Sequence, residues 1–109
     1  FLDAIEIMKQ KLDDLYFIFL SDDPAYCECC FSNIDNKYIS KNSMAIDLAI
    51  MTQCEYGIVS NSSFSWWGAY FIINKKEVIF PKYWWGWKKK IDSHVGIQPK
   101  WSNVIEVTE

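Results

Sequence analysis

Three short apolar runs set the limits on what this chain can fold into, because each stops abruptly at polar or rigid residues. Leu15-Tyr16-Phe17-Ile18-Phe19-Leu20 ends at Ser21-Asp22-Asp23-Pro24, Tyr56-Gly57-Ile58-Val59 ends at Ser60-Asn61-Ser62-Ser63, and Glu77-Val78-Ile79-Phe80 ends at Pro81. The first has high strand propensity and no alternation, as expected of a central strand buried on both faces. Between the runs, apolar residues recur at helical spacing. Leu2, Ile5, Met8 and Leu12 are separated by Glu6, Lys9, Gln10 and Lys11, the mark of an amphipathic helix that packs on a sheet. Strand and helix patterns alternate, which predicts an α/β domain with a parallel sheet.

The remaining elements follow from local chemistry. Asp23 suits the cap and Pro24 the first position of a brief helix over Ala25 to Phe31. Lys37-Tyr38-Ile39-Ser40 reads as a short strand nearer a sheet edge, and Asn42 or Ser43 caps a helix running from Met44 to Cys54. A further helix from Phe64 to Ile73 is apolar nearly all round, which predicts burial between the sheet and a neighbouring element. Gly68 in its middle costs up to about 1 kcal/mol relative to alanine, so a close approach of backbone to sheet or ligand is expected. Asn74-Lys75-Lys76 closes that helix. Beyond Pro81 the pattern loosens, and Val104-Ile105-Glu106-Val107 reads as an edge strand or a tail returning to another domain.

A chain of 109 residues is one domain at most, and it starts at Phe1 without an initiator methionine, so it is expected to be a partial domain of something longer. Half of the residues are hydrophobic and 17% are aromatic, more than one core requires, so the surplus is expected to cover another surface. The net charge of −3 argues against non-specific nucleic-acid binding, which needs a basic face. The one basic run, Lys88-Lys89-Lys90, reads as a solvated loop. Cys27, Cys29, Cys30 and Cys54 match no standard zinc spacing with the single histidine, His94, and reduced thiols in a cytoplasmic setting are expected. No apolar run reaches the roughly 18 residues of a membrane span.

Two stretches invite a functional reading beside a structural one. In SNSSFSWWGAY, Ser60 to Tyr70, polar residues precede a helix start, where unpaired N–H groups and the dipole favour an anion. The same residues also serve as an ordinary N-cap. Asp47 has apolar neighbours at helical offsets, Met44, Ile50 and Met51, so its carboxylate needs a partner. As a first-turn acid it gains about 0.3 to 1 kcal/mol from the dipole. Alternatively it accepts the paired N–H donors that a guanine offers. Asp22 lies at a strand's carboxyl end, where open parallel sheets bind ligands, though turns there also favour Asp. Tyr83-Trp84-Trp85-Gly86-Trp87 reads as a sugar-stacking platform or, more often, a loop clamped on the core, and His94 as a loop histidine.

In order, Ser21-Asp22-Asp23-Pro24, Asp47-Leu48 followed by Cys54, and SNSSFSWWGAY resemble the C-terminal part of the alpha-1,2-fucosyltransferase family, glycosyltransferase family 11. The resemblance extends over about Leu15 to Pro81, and its third motif is highly specific. It implies a Rossmann-like parallel sheet flanked by helices, the C-terminal domain of a GT-B-type enzyme that moves fucose with inversion from GDP-fucose to the 2-hydroxyl of a galactoside. On the family pattern, Asp47 reads guanine, Ser62 and Ser63 hold the diphosphate, and Ser21, Asp22 and Asp23 lie near the donor. Ser60 and Asn61 belong to the same motif as the serine pair.

The resemblance further implies a galactoside-terminated glycan as acceptor and a missing N-terminal domain as partner; no cofactor or metal is expected, since no carboxylate cluster is reserved for one although Asp22 with Asp23 leaves an opening, and the net charge leaves no nucleic-acid partner expected. A cytoplasmic enzyme is expected, with peripheral membrane association of the full protein left open. The family's His-x-Arg-Arg-like motif, which neutralises pyrophosphate, has no counterpart: the eleven basic residues are all lysines. Because a departing diphosphate needs positive charge, the chain alone is expected to be inactive. No residue qualifies as the catalytic base. The alternatives are another GT-B nucleotide-sugar transferase and a non-catalytic nucleotide- or glycan-binding module.

Overall fold

A computed structural model describes residues 1–85, 88–92 and 96–106. The elements are α1 (Leu2–Lys11), β1 (Phe17–Phe19), α2 (Pro24–Cys30), β2 (Lys37–Ile39), α3 (Met44–Thr52), β3 (Tyr56–Ile58), α4 (Ser63–Tyr70), β4 (Glu77–Pro81) and β5 (Asn103–Ile105). Every strand pairing is parallel, and the hydrogen bonds divide the strands into β1-β2 and β3-β4-β5. The units β1–α2–β2 and β3–α4–β4 each join parallel strands through a helix, the repeating unit of a Rossmann-like domain. The α/β class read from the alternation is the class that forms.

The best-buried strand is not the one expected. Leu15–Leu20 condenses to β1, whose only strand partner among the described residues is β2, and Ile18 at its centre is 38% exposed. Phe17 and Phe19 pack with Ile5, Cys27, Phe31 and Ile34, so helices cover one face of β1 and leave the other open. β4 instead lies between β3 and β5. Val78 and Phe80 pack against Ala69 of α4 and Ile72 just beyond it, while Ile79 packs against Ala4 and Met8 of α1. The two-residue period of a strand sends alternate side chains to opposite helices. Each of these three side chains, at most 2% exposed, contributes roughly 1.5–3 kcal/mol of burial.

The helix α4 also departs from its expected state. Gly68, Ala69 and the following Ile72 are buried, but Trp67, Tyr70, Phe71 and Ile73 are about half exposed or more. An apolar sequence cannot bury all its faces when only one sheet and one helix lie beside it. Gly68 faces Met51 of α3, so the close approach is between helices, not to the sheet. The helix stops at Tyr70, earlier than Asn74-Lys75-Lys76, and Lys75 Nζ donates to the carbonyls of Tyr70 and, beyond the helix end, Ile72, both at 2.8 Å. A cation there meets the negative end of the helix dipole.

β5 is an edge strand parallel to β4, and Val107 lies outside the described residues. Gly86, Trp87 and His94 also lie outside them. All four cysteines are free, and burial pushes the Cys54 thiol up. Among the described residues no helix is long and apolar enough to cross a membrane.

Candidate functional site

Parallel pairing gathers the carboxyl ends of β1 and β2 at one edge, and each end continues into polar residues. After β1, the Ser21 hydroxyl accepts a hydrogen bond from the Asp23 amide at 3.0 Å, and Asp23 Oδ1 accepts from the Tyr26 amide at 3.1 Å. Asp23 is therefore the N-cap of α2, as its sequence position implies. Asp22 has no such duty and is exposed. After β2, the Ser40 amide donates to the Phe19 carbonyl, fixing this strand end against β1. Ser21, Asp22, Glu28, Lys41 and Asn42 then line an open cleft of about 520 Å3. Lys41 and Glu28 pair at 3.3 Å there, both largely in water, so their attraction is weak.

Asp47 sits in the first turn of α3, whose N-cap Ser43 accepts from the Ile46 amide. It is the one buried residue of that helix at 6% exposure, whereas Met44 and Ile46 are 71% and 50% exposed. A charge-bearing group is buried while its apolar neighbours face water, the reverse of the usual sorting. Its partner is Ser40, only 1% exposed, whose hydroxyl donates to Asp47 Oδ1 at 2.5 Å. The same hydroxyl accepts from the backbone amide and the side-chain amide of Asn42, both at 3.2 Å. Asp47 is thus joined through Ser40 and Asn42 to the cleft beside Ser21 and Asp22.

The other predicted group lies after β3. Ser62 caps α4, its hydroxyl accepting from the Ser65 amide at 3.5 Å, a long and weak bond. Ser60 and Ser65 hydroxyls lie 3.2 Å apart, and Asn61 Nδ2 donates to the Trp84 carbonyl at 3.1 Å. That last bond ties the helix entry to the loop after β4. Trp84 is also packed against the core with Phe80, a clamping role, while Trp85 is 59% exposed. Ser63, at the first helical position, is exposed. It stands at the positive end of the helix dipole, where first-turn amides lack intrahelical acceptors.

These two groups share no hydrogen bond or ion pair among the described residues. What relates them is the packing of α3 on α4, through Met51 and Gly68. No group of three or more His, Cys, Asp or Glu side chains suited to a metal occurs among the described residues. As site residues Ser40, Lys41 and Asn42 escaped the reading of the sequence, which gave Ser40 to a strand and Asn42 to an alternative helix cap. The available signal was the repeated pattern of a strand followed by serine and polar residues, seen at Ser21, Ser40 and Ser60.

Residues 1–104 match the family model described as glycosyl transferase family 11. Among curated proteins, an alpha-1,2-colitosyltransferase of Escherichia coli is 37% identical over 75 residues, covering 64% of this chain and 26% of its own length. The O-antigen biosynthesis glycosyltransferase WbnK of Escherichia coli is 34% identical over 92 residues, covering 80% of this chain and 30% of its own length. The chain therefore spans less than a third of these relatives. No solved structure gives a significant match.

Proposed function

This chain belongs to glycosyl transferase family 11, and from that premise we propose that it forms the donor-binding half of an inverting GT-B-type glycosyltransferase that takes fucose from GDP-fucose. The acceptor in this reading is the 2-hydroxyl of a galactoside. Asp47 reads the guanine, and the Ser62-Ser63 helix start, with Ser60 and Asn61 beside it, receives the diphosphate that leaves. Ser21 and Asp22 border the donor from the neighbouring strand end, while Asp23 acts through its cap.

The observation that carries the reading is the burial of Asp47 on a helix whose Met44 and Ile46 face water. The helix dipole alone does not require burial, since a first-turn acid gains its stabilisation at the surface as well. A carboxylate held in place can accept the two parallel donors of guanine, N1–H and the exocyclic amine. The remaining machinery is assigned to the N-terminal domain that the longer relatives suggest. It would bring the arginine cations that oppose the charge developing on the diphosphate, because this chain has none. Acceptor deprotonation is assigned to that half too.

Titration of GDP, ADP and UDP into the chain tests the proposal. GDP binds more tightly than ADP and UDP, and Asp47→Ala lowers affinity for GDP more than for ADP. Equal affinity for the three nucleotides would refute the guanine assignment. The name of one relative supports a second reading in which the transferred sugar is colitose. Offering the fucosyl and colitosyl nucleotides to the complete enzyme separates the two by which sugar reaches the acceptor.

A further inference from the structure

We infer that Ser40 is a positioning residue for Asp47, holding Oδ1 so that Oδ2 is presented to the ligand; this rests on the guanine-reading role proposed for Asp47. A serine hydroxyl has one hydrogen to donate and two lone pairs to accept with. Asn42 occupies both lone pairs, one through its backbone amide and one through Nδ2. The single hydrogen is left for Asp47 Oδ1, so the direction of that bond is forced. The hydroxyl cannot turn away unless Asn42 moves first.

The other carboxylate oxygen has a different status. The hydrogen bond to the Asp47 side chain ends on Oδ1, and among the described residues no fully buried side-chain oxygen or nitrogen lacks a partner. With 6% exposure remaining on Asp47, Oδ2 is the oxygen that meets solvent. One oxygen held and one open means the carboxylate plane is set before any ligand arrives. Oδ1 keeps a second lone pair beside the Ser40 bond, so both oxygens can accept from a planar edge, and less rotational freedom is lost on binding. Ser40 is itself fixed, its amide bonded to the Phe19 carbonyl of β1 and its side chain 1% exposed.

Calorimetric titration of GDP and of ADP into the chain, its Ser40→Ala and Ser40→Cys variants, and Asp47→Asn tests this. With Ser40→Ala the GDP-over-ADP affinity ratio falls by about tenfold, the loss expected of one hydrogen bond to a charged group. Ser40→Cys, close in volume with a weaker donor, gives a smaller fall, and it decides the matter if Ser40→Ala does not fold. A role confined to packing would lower affinity for both nucleotides alike or leave both intact. Either result in the folded Ser40 variants, with the ratio still lost in Asp47→Asn, overturns the positioning role and spares the guanine reading. A ratio unchanged by Asp47→Asn, or no GDP binding by the unsubstituted chain, overturns both.

Discussion

Gly68 of α4 lies directly against the side chain of Met51 of α3, and a β-carbon on the glycine would collide with the thioether sulfur. This contact sets how closely the helix carrying Asp47 approaches the helix that begins after Ser62. The spacing of the two candidate ligand-binding groups is therefore governed at a position with no polar chemistry of its own.

Gly68→Ala gains helix propensity of about 1 kcal/mol but must displace Met51, and overpacking of this kind costs about 1–3 kcal/mol. The Met51 side chain is flexible, so part of the clash is relieved by a rotamer change. We expect net destabilisation of Gly68→Ala that shrinks in the Met51→Ala background, giving a coupling of at least about 0.5 kcal/mol in a denaturant double-mutant cycle. Strict additivity would mean that the two side chains do not limit the approach.

At Ser62 the cap and the ligand role predict different patterns. Replacing an N-cap serine by glycine costs only a few tenths of a kcal/mol, against about 1 for alanine. If the hydroxyl contacts the diphosphate, Ser62→Gly and Ser62→Ala both weaken GDP binding, while only alanine clearly lowers the unfolding midpoint. GDP affinity that tracks stability across the two variants would reduce Ser62 to a cap.

Acid should loosen the segment after β4 through Asp92. Its carboxylate accepts from the Trp84 amide and from Gln98 Nε2, both at 2.8 Å, and the Trp84 backbone bond is the leading cause that holds its pKa below the usual range. A depressed carboxyl pKa stabilises the fold above the unfolded value near 3.9 and loses that contribution as pH falls through the folded value. Tryptophan fluorescence followed below about pH 4 should show a transition that Asp92→Asn diminishes. An identical acid profile in the variant would remove Asp92 as its cause.

The chain alone is expected to bind GDP and yet transfer no sugar at a detectable rate. The eleven basic residues are all lysines, with no arginine among them, and helix-end amides supply only part of the charge that a departing diphosphate requires. Measurement of both GDP binding and sugar release on one sample checks this. Full transfer activity in the isolated chain would contradict the assignment of the cationic machinery elsewhere.

Much of the fold was legible because strands and helices leave short-range signatures. The alternation of apolar runs with helical spacing and Asp23 before Pro24 each report an event within a few residues of chain and recur in the structure, while the choice of Ser43 over Asn42, and of Ser62 among the polar residues before Phe64, came only with the structure. Which strand lies at the centre was not legible. Leu15–Leu20 and Glu77–Phe80 have similar composition, and burial depends on which neighbours arrive on each side. The same holds for α4, whose aromatic residues are equally apolar whether packed on Phe80 or facing water.

The sequence by itself determined that this is an α/β chain, where its helices start, and that Asp47 needs a partner. Only the tertiary structure decided that the partner is Ser40. A hydrogen bond depends on distance in space, and parallel pairing of β2 with β1 anchors the Ser40 amide to Phe19 while α3 brings Asp47 within reach of its hydroxyl.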